Sequence, residues 1–411
     1  MTKNIWWINH HAVPPVVPGG TRHFSLAKSL KKLNYETTII NGSFDHLNSH
    51  FQEKGDFGQN LKEPLLRSYE GVDFYSIPTP YYVGNASIGR VKNMLAFYFG
   101  AMKYLRGKTE LPKPDLIIGS VVHPFAAYAG YRLSKYYKVP FVYEVRDLWP
   151  RTLVELGRIS SKHPFVLLLD RLDGFLAKKA EIIITSAPLM KNHYKERFGI
   201  KLEKCLWITN GSVFIKKTPS PMRKIEENDP IKVGYTGAIG LANGIKEFLE
   251  ELKNVPKETL KRFKFTFVGG GPLKQELAAY SLEKGLPVEF KNSVPKDQVW
   301  NLLQEFDFLL FCLIESKLFK NGISPNKLAD YHSAGRPIIE IVSCDSSPVQ
   351  SSGAGYHADS FGELPKILSA ICSADQKEYT EKGKKGYLYA QEQYDWDKLA
   401  EKIHESLKVL L

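Results

Sequence analysis

The stretch GISPNKLADYHSAGRPII, Gly322 to Ile339, places Ser324, Pro325, Asn326 and Lys327 at the start of one short helix. Ser and Asn are natural caps and Pro325 suits a first turn, so a structural helix start explains much of it. Capping does not call for Lys327, which is unfavourable near a helix start unless an anion is bound there. Asp330, one turn on, is suited to accept hydrogen bonds from a ribose diol. A second anion-compatible start is FVGGGPLKQEL, where Gly269, Gly270 and Gly271 follow a strand and let backbone approach a ligand. A tight turn with no ligand accounts for the same glycines. A dinucleotide fingerprint needs a glycine at the sixth position from Gly269, and Lys274 stands there.

Nearer the start, HHAVPPVVPGGTRHF ends in Gly19 and Gly20 before a helix beginning near Thr21. His10 and His11 are metal-ligand types, but adjacent histidines point to opposite sides and no third ligand is evident, so no metal is expected. His123, in IIGSVVHPF, and Arg146 and Asp147, in VYEVRDLWP, follow strands where a cleft-facing catalytic group would sit. Each also has a bland account: a satisfied loop histidine, and a charge pair holding the Trp149–Pro150 turn.

These residues need strands and helices to position them. Apolar β-branched and aromatic runs alternate with amphipathic stretches: strands at Asn4–Asn9, Glu36–Asn41, Val72–Ile77, Leu116–Gly119, Phe141–Val145 and Ile182–Thr185, and helices at Arg22–Leu33, Phe125–Tyr136 and Pro164–Lys179. Gly42 to Glu70 breaks the pattern and reads as an excursion. Ile215–Pro230, rich in Pro and charge, reads as a linker. Alternation then resumes through Lys232–Tyr235, Phe263–Val268, Val288–Phe290 and Phe308–Leu313. Two α/β domains with parallel sheets follow, with ligands expected beyond the carboxyl ends of strands.

A chain of 411 residues is too long for one core. The four scattered cysteines form no CxxC pair, so a disulfide framework or structural zinc is not expected and a reducing cytoplasm fits. MTKNIWWINHH reads as a first strand rather than a signal peptide, and no run reaches the roughly 18–20 apolar residues that span a bilayer. The net charge of +12 suits anionic partners. Nucleic acid is disfavoured, because Lys and Arg are spread along the chain without a compact basic block. The stretch from Ala86 to Gly107 is a helix with an apolar-aromatic side and a basic side. It either faces the core or lies on an anionic membrane.

Together PGGTRHFSLAKSL, the His123 loop, VGYTGAIGLANGIKEFLEEL, FVGGGPLKQEL, VEFKNSVPKDQV, SPNKLADYHSAGRPII and QEQYDWDKLAEKI resemble retaining glycosyltransferases of family 4, which have the GT-B fold. The EVRDLWP segment is most similar to bacterial amino-sugar transferases of O-antigen and capsule synthesis. The resemblance implies two Rossmann-like domains with parallel sheets facing an interdomain cleft. The acceptor domain would be 1–212, the donor domain 213–390, and 391–411 a helix crossing back. It implies metal-independent transfer from a nucleotide sugar, most commonly a UDP-sugar, without a separate cofactor. The acceptor would be a glycan or polyprenyl-diphosphate-linked sugar, reached from the cytoplasm, with peripheral contact to the inner membrane face.

By the same resemblance Gly19 and Gly20 lie beneath the donor diphosphate and His123 lines the sugar pocket. Ser293 and Val294 lie at its base, and Gly237, Asn243 and Gly269–Gly271 shape the donor site. The family has two glutamates eight positions apart. Aligned on Ala334, Gly335 and Pro337, the second is Asp330 and the first is Gly322. The family's usual Arg and Lys of the first donor-domain loop fall on Ala238 and Asn243, leaving Lys327, backed by amides of Ser324, Pro325 and Asn326, as the cation for the diphosphate. Two other classes remain open: a sugar-nucleotide epimerase of this fold, which needs no acceptor, and a binding protein without activity.

Overall fold

The computed structural model describes residues 2–16, 21–44, 61–83, 87–107, 109–157 and 159–411. They divide into two compact units, one of 1–209 with 396–411 and the other of 210–395.

The first unit has eight strands: β1 (Lys3–Ile8), β2 (Tyr35–Gly42), β3 (Leu65–Tyr69), β4 (Val72–Ile77), β5 (Leu116–Val121), β6 (Phe141–Val145), β7 (Ile182–Thr185) and β8 (Cys205–Trp207). Their order is β3-β4-β2-β1-β5-β6-β7-β8, so the direction of winding reverses between β1 and β5. Every pair is parallel except β3 with β4. Leu65–Tyr69 therefore corrects the expected excursion: its burial alternates, as in an edge strand with one wet face. The central strands are buried on both faces, which is why they read as largely apolar runs. Ile5, Trp7, Leu116 and Ile118 face one core, while Trp6, Ile8 and Ile117 face another.

Helix Trp396–Leu407 completes the first of these cores, packing Leu399, Ala400, Ile403 and Leu407 beside Leu26 and Leu30 of helix Arg22–Lys31. Asp397 accepts from Ser29 Oγ at 2.7 Å and Lys32 Nζ at 2.6 Å, fixing the register of the pair.

The second unit has β9 (Ile231–Thr236), β10 (Phe263–Val268), β11 (Val288–Lys291), β12 (Phe308–Cys312), β13 (Ile338–Ile341) and β14 (Gly355–Ala358). They are wholly parallel in the order β11-β10-β9-β12-β13-β14, reversing between β9 and β12. Residues 215–230, expected as a linker, belong to this unit. Arg223 pairs with Asp229 and Asp307, and Arg336 donates to the Ser220 carbonyl, pinning the segment to the residues that precede β12 and β13. Among the described residues no helix is long and apolar enough to cross a membrane.

Candidate functional site

In open α/β sheets a ligand sits where the winding reverses, because the loops there part. Both reversals in this chain gather the chemistry-bearing residues.

In the first unit, His10 and His11 follow β1 and His123 follows β5. The two adjacent rings stack, with centroids 4.4 Å apart and planes at 17°, rather than pointing to opposite faces. The chain has left the strand by Asn9, so strand alternation no longer applies. His123 supplies the unexpected third nitrogen, and the three ligand atoms lie within 4.8 Å of one another. A three-histidine set suits a divalent transition ion such as zinc.

The bonding nevertheless favours a neutral pair. His123 Nδ1 accepts from the Ala126 N–H as helix cap, which puts its proton on Nε2, 2.6 Å from His10 Nδ1. Ligation through Nε2 would require giving up that cap or forming an imidazolate. Burial, then His11 and Arg90, hold His123 well below the ordinary histidine range. With its side chain fully buried and both nitrogens engaged, His123 is a core and capping residue. That corrects the expected cleft-facing catalytic group.

Beside it lies a cluster that inspection of motifs missed. Glu144 of β6 is buried, 2.8 Å from Arg22 Nε and 2.8 Å from His23 Nε2. It also accepts from Trp7 Nε1 at 3.1 Å and, closely, from Ser120 Oγ. Burial would raise the Glu144 carboxyl, but His23 and Arg22 outweigh it and keep it well below the usual carboxylate range. Arg22 also donates to the Ile208 and Thr209 carbonyls. A lone carboxylate inside the apolar run FVYEV was the available signal. Asp147, by contrast, is exposed on the loop after β6, and its carbonyl accepts from the Trp149 N–H at 2.9 Å. No Arg146–Asp147 ion pair forms among the described residues. Gly19 and Gly20 lie outside those residues.

In the second unit, the loops after β9 and β10 lock together. A Cβ on Gly269 would stand 1.8 Å from the Gly237 carbonyl oxygen, and one on Gly271 2.3 Å from that of Ile239. Close backbone approach is real here, but to the neighbouring loop. Gly270 alone faces open space. Asn243 Oδ1 accepts from the Gly240 N–H at 3.3 Å, bracing the same loop. Ser293 is exposed and Val294 half-buried in the loop after β11.

Helix Asn326–Ser333 starts beside these loops with Pro325 as N-cap and no side-chain cap. The expected Ser or Asn cap is absent because Ser324 Oγ accepts instead from the Asn210 N–H at 3.0 Å. Lys327 Nζ donates to Tyr235 Oη at 2.6 Å, sits 3.9 Å from that ring's centre, and lies where a Gly237 side chain would come within 3.0 Å. Tyr235 Oη in turn donates to the Ala238 carbonyl. No carboxylate pairs with Lys327 among the described residues, and burial lowers its pKa to about 8. Asp330 accepts from Ser212 Oγ at 2.7 Å, and burial raises its pKa to about 6. Gly322, at the first-glutamate position, has φ +91°, so any carboxylate-bearing residue there would strain the backbone.

Paired parallel-sheet units with strand-end loops of this kind define the GT-B glycosyltransferase fold. The chain carries two glycosyltransferase domains: residues 19–212 match Glycosyltransferase Family 4, and residues 219–341 match Glycosyl transferases group 1. Sucrose-phosphate synthase from Thermosynechococcus elongatus superposes with a TM-score of 0.71 at 14% identity, over 99% of each chain. HepE of Anabaena, in complex with UDP and glucose, gives 0.64 at 15% identity over 99% of this chain and 100% of that one. WaaG, a glycosyltransferase involved in lipopolysaccharide biosynthesis, gives 0.65 at 14% identity over 99% of each. No curated protein matches the chain.

Proposed function

We propose that this chain is a retaining, metal-independent glycosyltransferase. It moves a sugar, an N-acetylated amino sugar by the EVRDLWP resemblance, from a UDP-sugar to a polyprenyl-diphosphate-linked glycan in surface polysaccharide synthesis. The observation that carries the donor reading is Lys327, a half-buried ammonium at the β9–β12 reversal with no counter-carboxylate among the described residues. Departure of a nucleoside diphosphate builds negative charge at such a place, and a fixed cation stabilises that charge in the transition state. The solved complex of HepE with UDP and glucose supports a nucleotide-sugar donor for this fold.

The test is release of UDP from UDP-sugars with and without a lipid-linked acceptor, with the anomeric configuration of the product read by NMR. Acceptor-dependent release with retained configuration is expected, reduced at least about tenfold in Lys327→Ala. Sugar conversion without acceptor would identify an epimerase instead, and nucleotide binding without turnover an inactive binder.

A further inference from the structure

Tyr235, next to last in β9, is 1% exposed, and its hydroxyl is the group that meets Lys327. Its single proton is committed, because Oη donates to the Ala238 carbonyl at 2.6 Å in the turn after the strand. Toward Lys327 the oxygen therefore accepts, and it does so from Nζ at 2.6 Å. The ammonium also stands 3.9 Å from the centre of the same ring, so hydroxyl and π face hold it together. A second tie lies one helical turn on. Tyr331 Oη accepts from the Thr236 N–H at 2.8 Å, so helix Asn326–Ser333 grips consecutive residues of β9 through Lys327 and Tyr331. The residue after them leaves room: Gly237 has φ +131°, and a Cβ there would stand 3.0 Å from Lys327 Nζ.

Charge decides what the phenol does. Burial, then Tyr331 and Cys312, hold the Tyr235 hydroxyl well above the ordinary tyrosine range, so no phenolate forms to neutralise the lysine. The Cys312 thiol of β12, on which Glu247 of helix Ile245–Glu251 also acts, is pushed up to about 12 by burial. Burial raises the Tyr331 hydroxyl as well, and Asp330 of the same helix is engaged with Ser212. A carboxylate at position 235 would cancel the ammonium that an incoming anion needs. A neutral acceptor favours the protonated amine and leaves its charge available.

We propose that Tyr235 is the positioning residue of the donor site: its hydroxyl keeps Lys327 charged and fixed beside the loop after β9, where the donor diphosphate meets it. The assignment rests on Lys327 serving that diphosphate, and a double-mutant cycle separates the two. Tyr235 carried no signal in the sequence, where it reads as one more apolar residue of a strand.

The experiment is calorimetric titration of UDP from pH 6 to 10 into the full chain, Tyr235→Phe, Lys327→Ala and the double variant. Phenylalanine keeps the ring and removes the acceptor, so Lys327 gives up its proton at lower pH. The pH above which affinity declines is expected to move down by about one unit, leaving binding about tenfold weaker at pH 9 and nearly unchanged at pH 6. In the Lys327→Ala background, Tyr235→Phe is expected to change nothing further. A merely structural role would weaken binding equally at every pH and leave the break where it was. That outcome, an unchanged profile, or the same loss in the Lys327→Ala background overturns the positioning role alone, provided Lys327→Ala itself binds UDP less tightly. A Lys327→Ala chain that binds UDP as the parent does overturns the donor role of Lys327, and the positioning role with it. If Tyr235→Phe does not fold, NMR of the UDP-bound parent at pH 6 decides: an Overhauser contact between the Lys327 ammonium and the Tyr235 ring supports the proposal, and its absence overturns it.

Discussion

At the winding reversal of the first sheet, buried charge is closed on itself. Glu144 faces Arg22 and His23, and His123 gives its one proton to His10. At the reversal of the second sheet, Lys327 meets a phenol but no acid among the described residues, and Asp330 rests on a hydroxyl. Both pKa values in the second unit move toward neutrality for want of a partner, whereas Glu144 moves away from it. The contrast separates scaffold from site: a buried charge neutralised in place holds the fold, while one left short of a counter-charge is ready for a ligand that brings it.

The largest effect should come from breaking the closed cluster. Glu144→Gln leaves Arg22 buried without its carboxylate and should cost about 3–5 kcal/mol. Denaturation followed through Trp6 and Trp7, both buried in the first unit, measures it. Lys327→Ala should do the reverse, lowering turnover about tenfold or more while stability stays level or rises by up to about 1 kcal/mol. A stability loss matching that of Glu144→Gln would erase the distinction between the two places.

A subtler test uses the lowered Lys327 pKa. An anion binds the protonated form, so UDP affinity should be flat below pH 8 and fall about tenfold per unit above it. Lys327→Arg should remove that slope, because the guanidinium stays charged. Calorimetric titration across pH 7 to 10 checks both. The smallest effect belongs to Asp330. Its folded pKa of about 6 lies above the unfolded value of 3.8, so its stabilising contribution is full below about pH 4 and lost as pH rises through 6. Asp330→Asn should therefore gain stability relative to the parent over that window, by about 1 kcal/mol after solvent screening.

Where local composition decides an element, it was legible in the sequence. Val72–Ile77, Phe141–Val145, Ile182–Thr185 and Phe263–Val268 are rich in β-branched and aromatic residues, and helix Pro164–Lys179 opens on proline after a capping histidine. What escaped depends on partners distant in sequence. Leu65–Tyr69 becomes a strand because Val72–Ile77 turns back beside it. The partner of Gly269 and Gly271 is the loop carrying Gly237 and Ile239, so glycine spacing alone could not distinguish a ligand from a neighbour. Ser324 looked like a cap, but Asn210 claims its oxygen. Lys327 was identifiable as a cation without a capping purpose; its lack of a counter-carboxylate among the described residues became visible only in three dimensions.

The final helix gives the first unit an unusual order of assembly. Ile5, Trp7, Leu26 and Leu30 leave the ribosome long before the side chains that complete their core, Leu399, Ala400, Ile403 and Leu407. All of residues 210–395 must be translated in between. At roughly 5–20 residues per second that is a delay of about 10–40 s. Throughout it an apolar strip on the nascent first unit remains uncovered. Of the two units, the one begun earlier is thus the one finished later, and a chaperone has its longest window there.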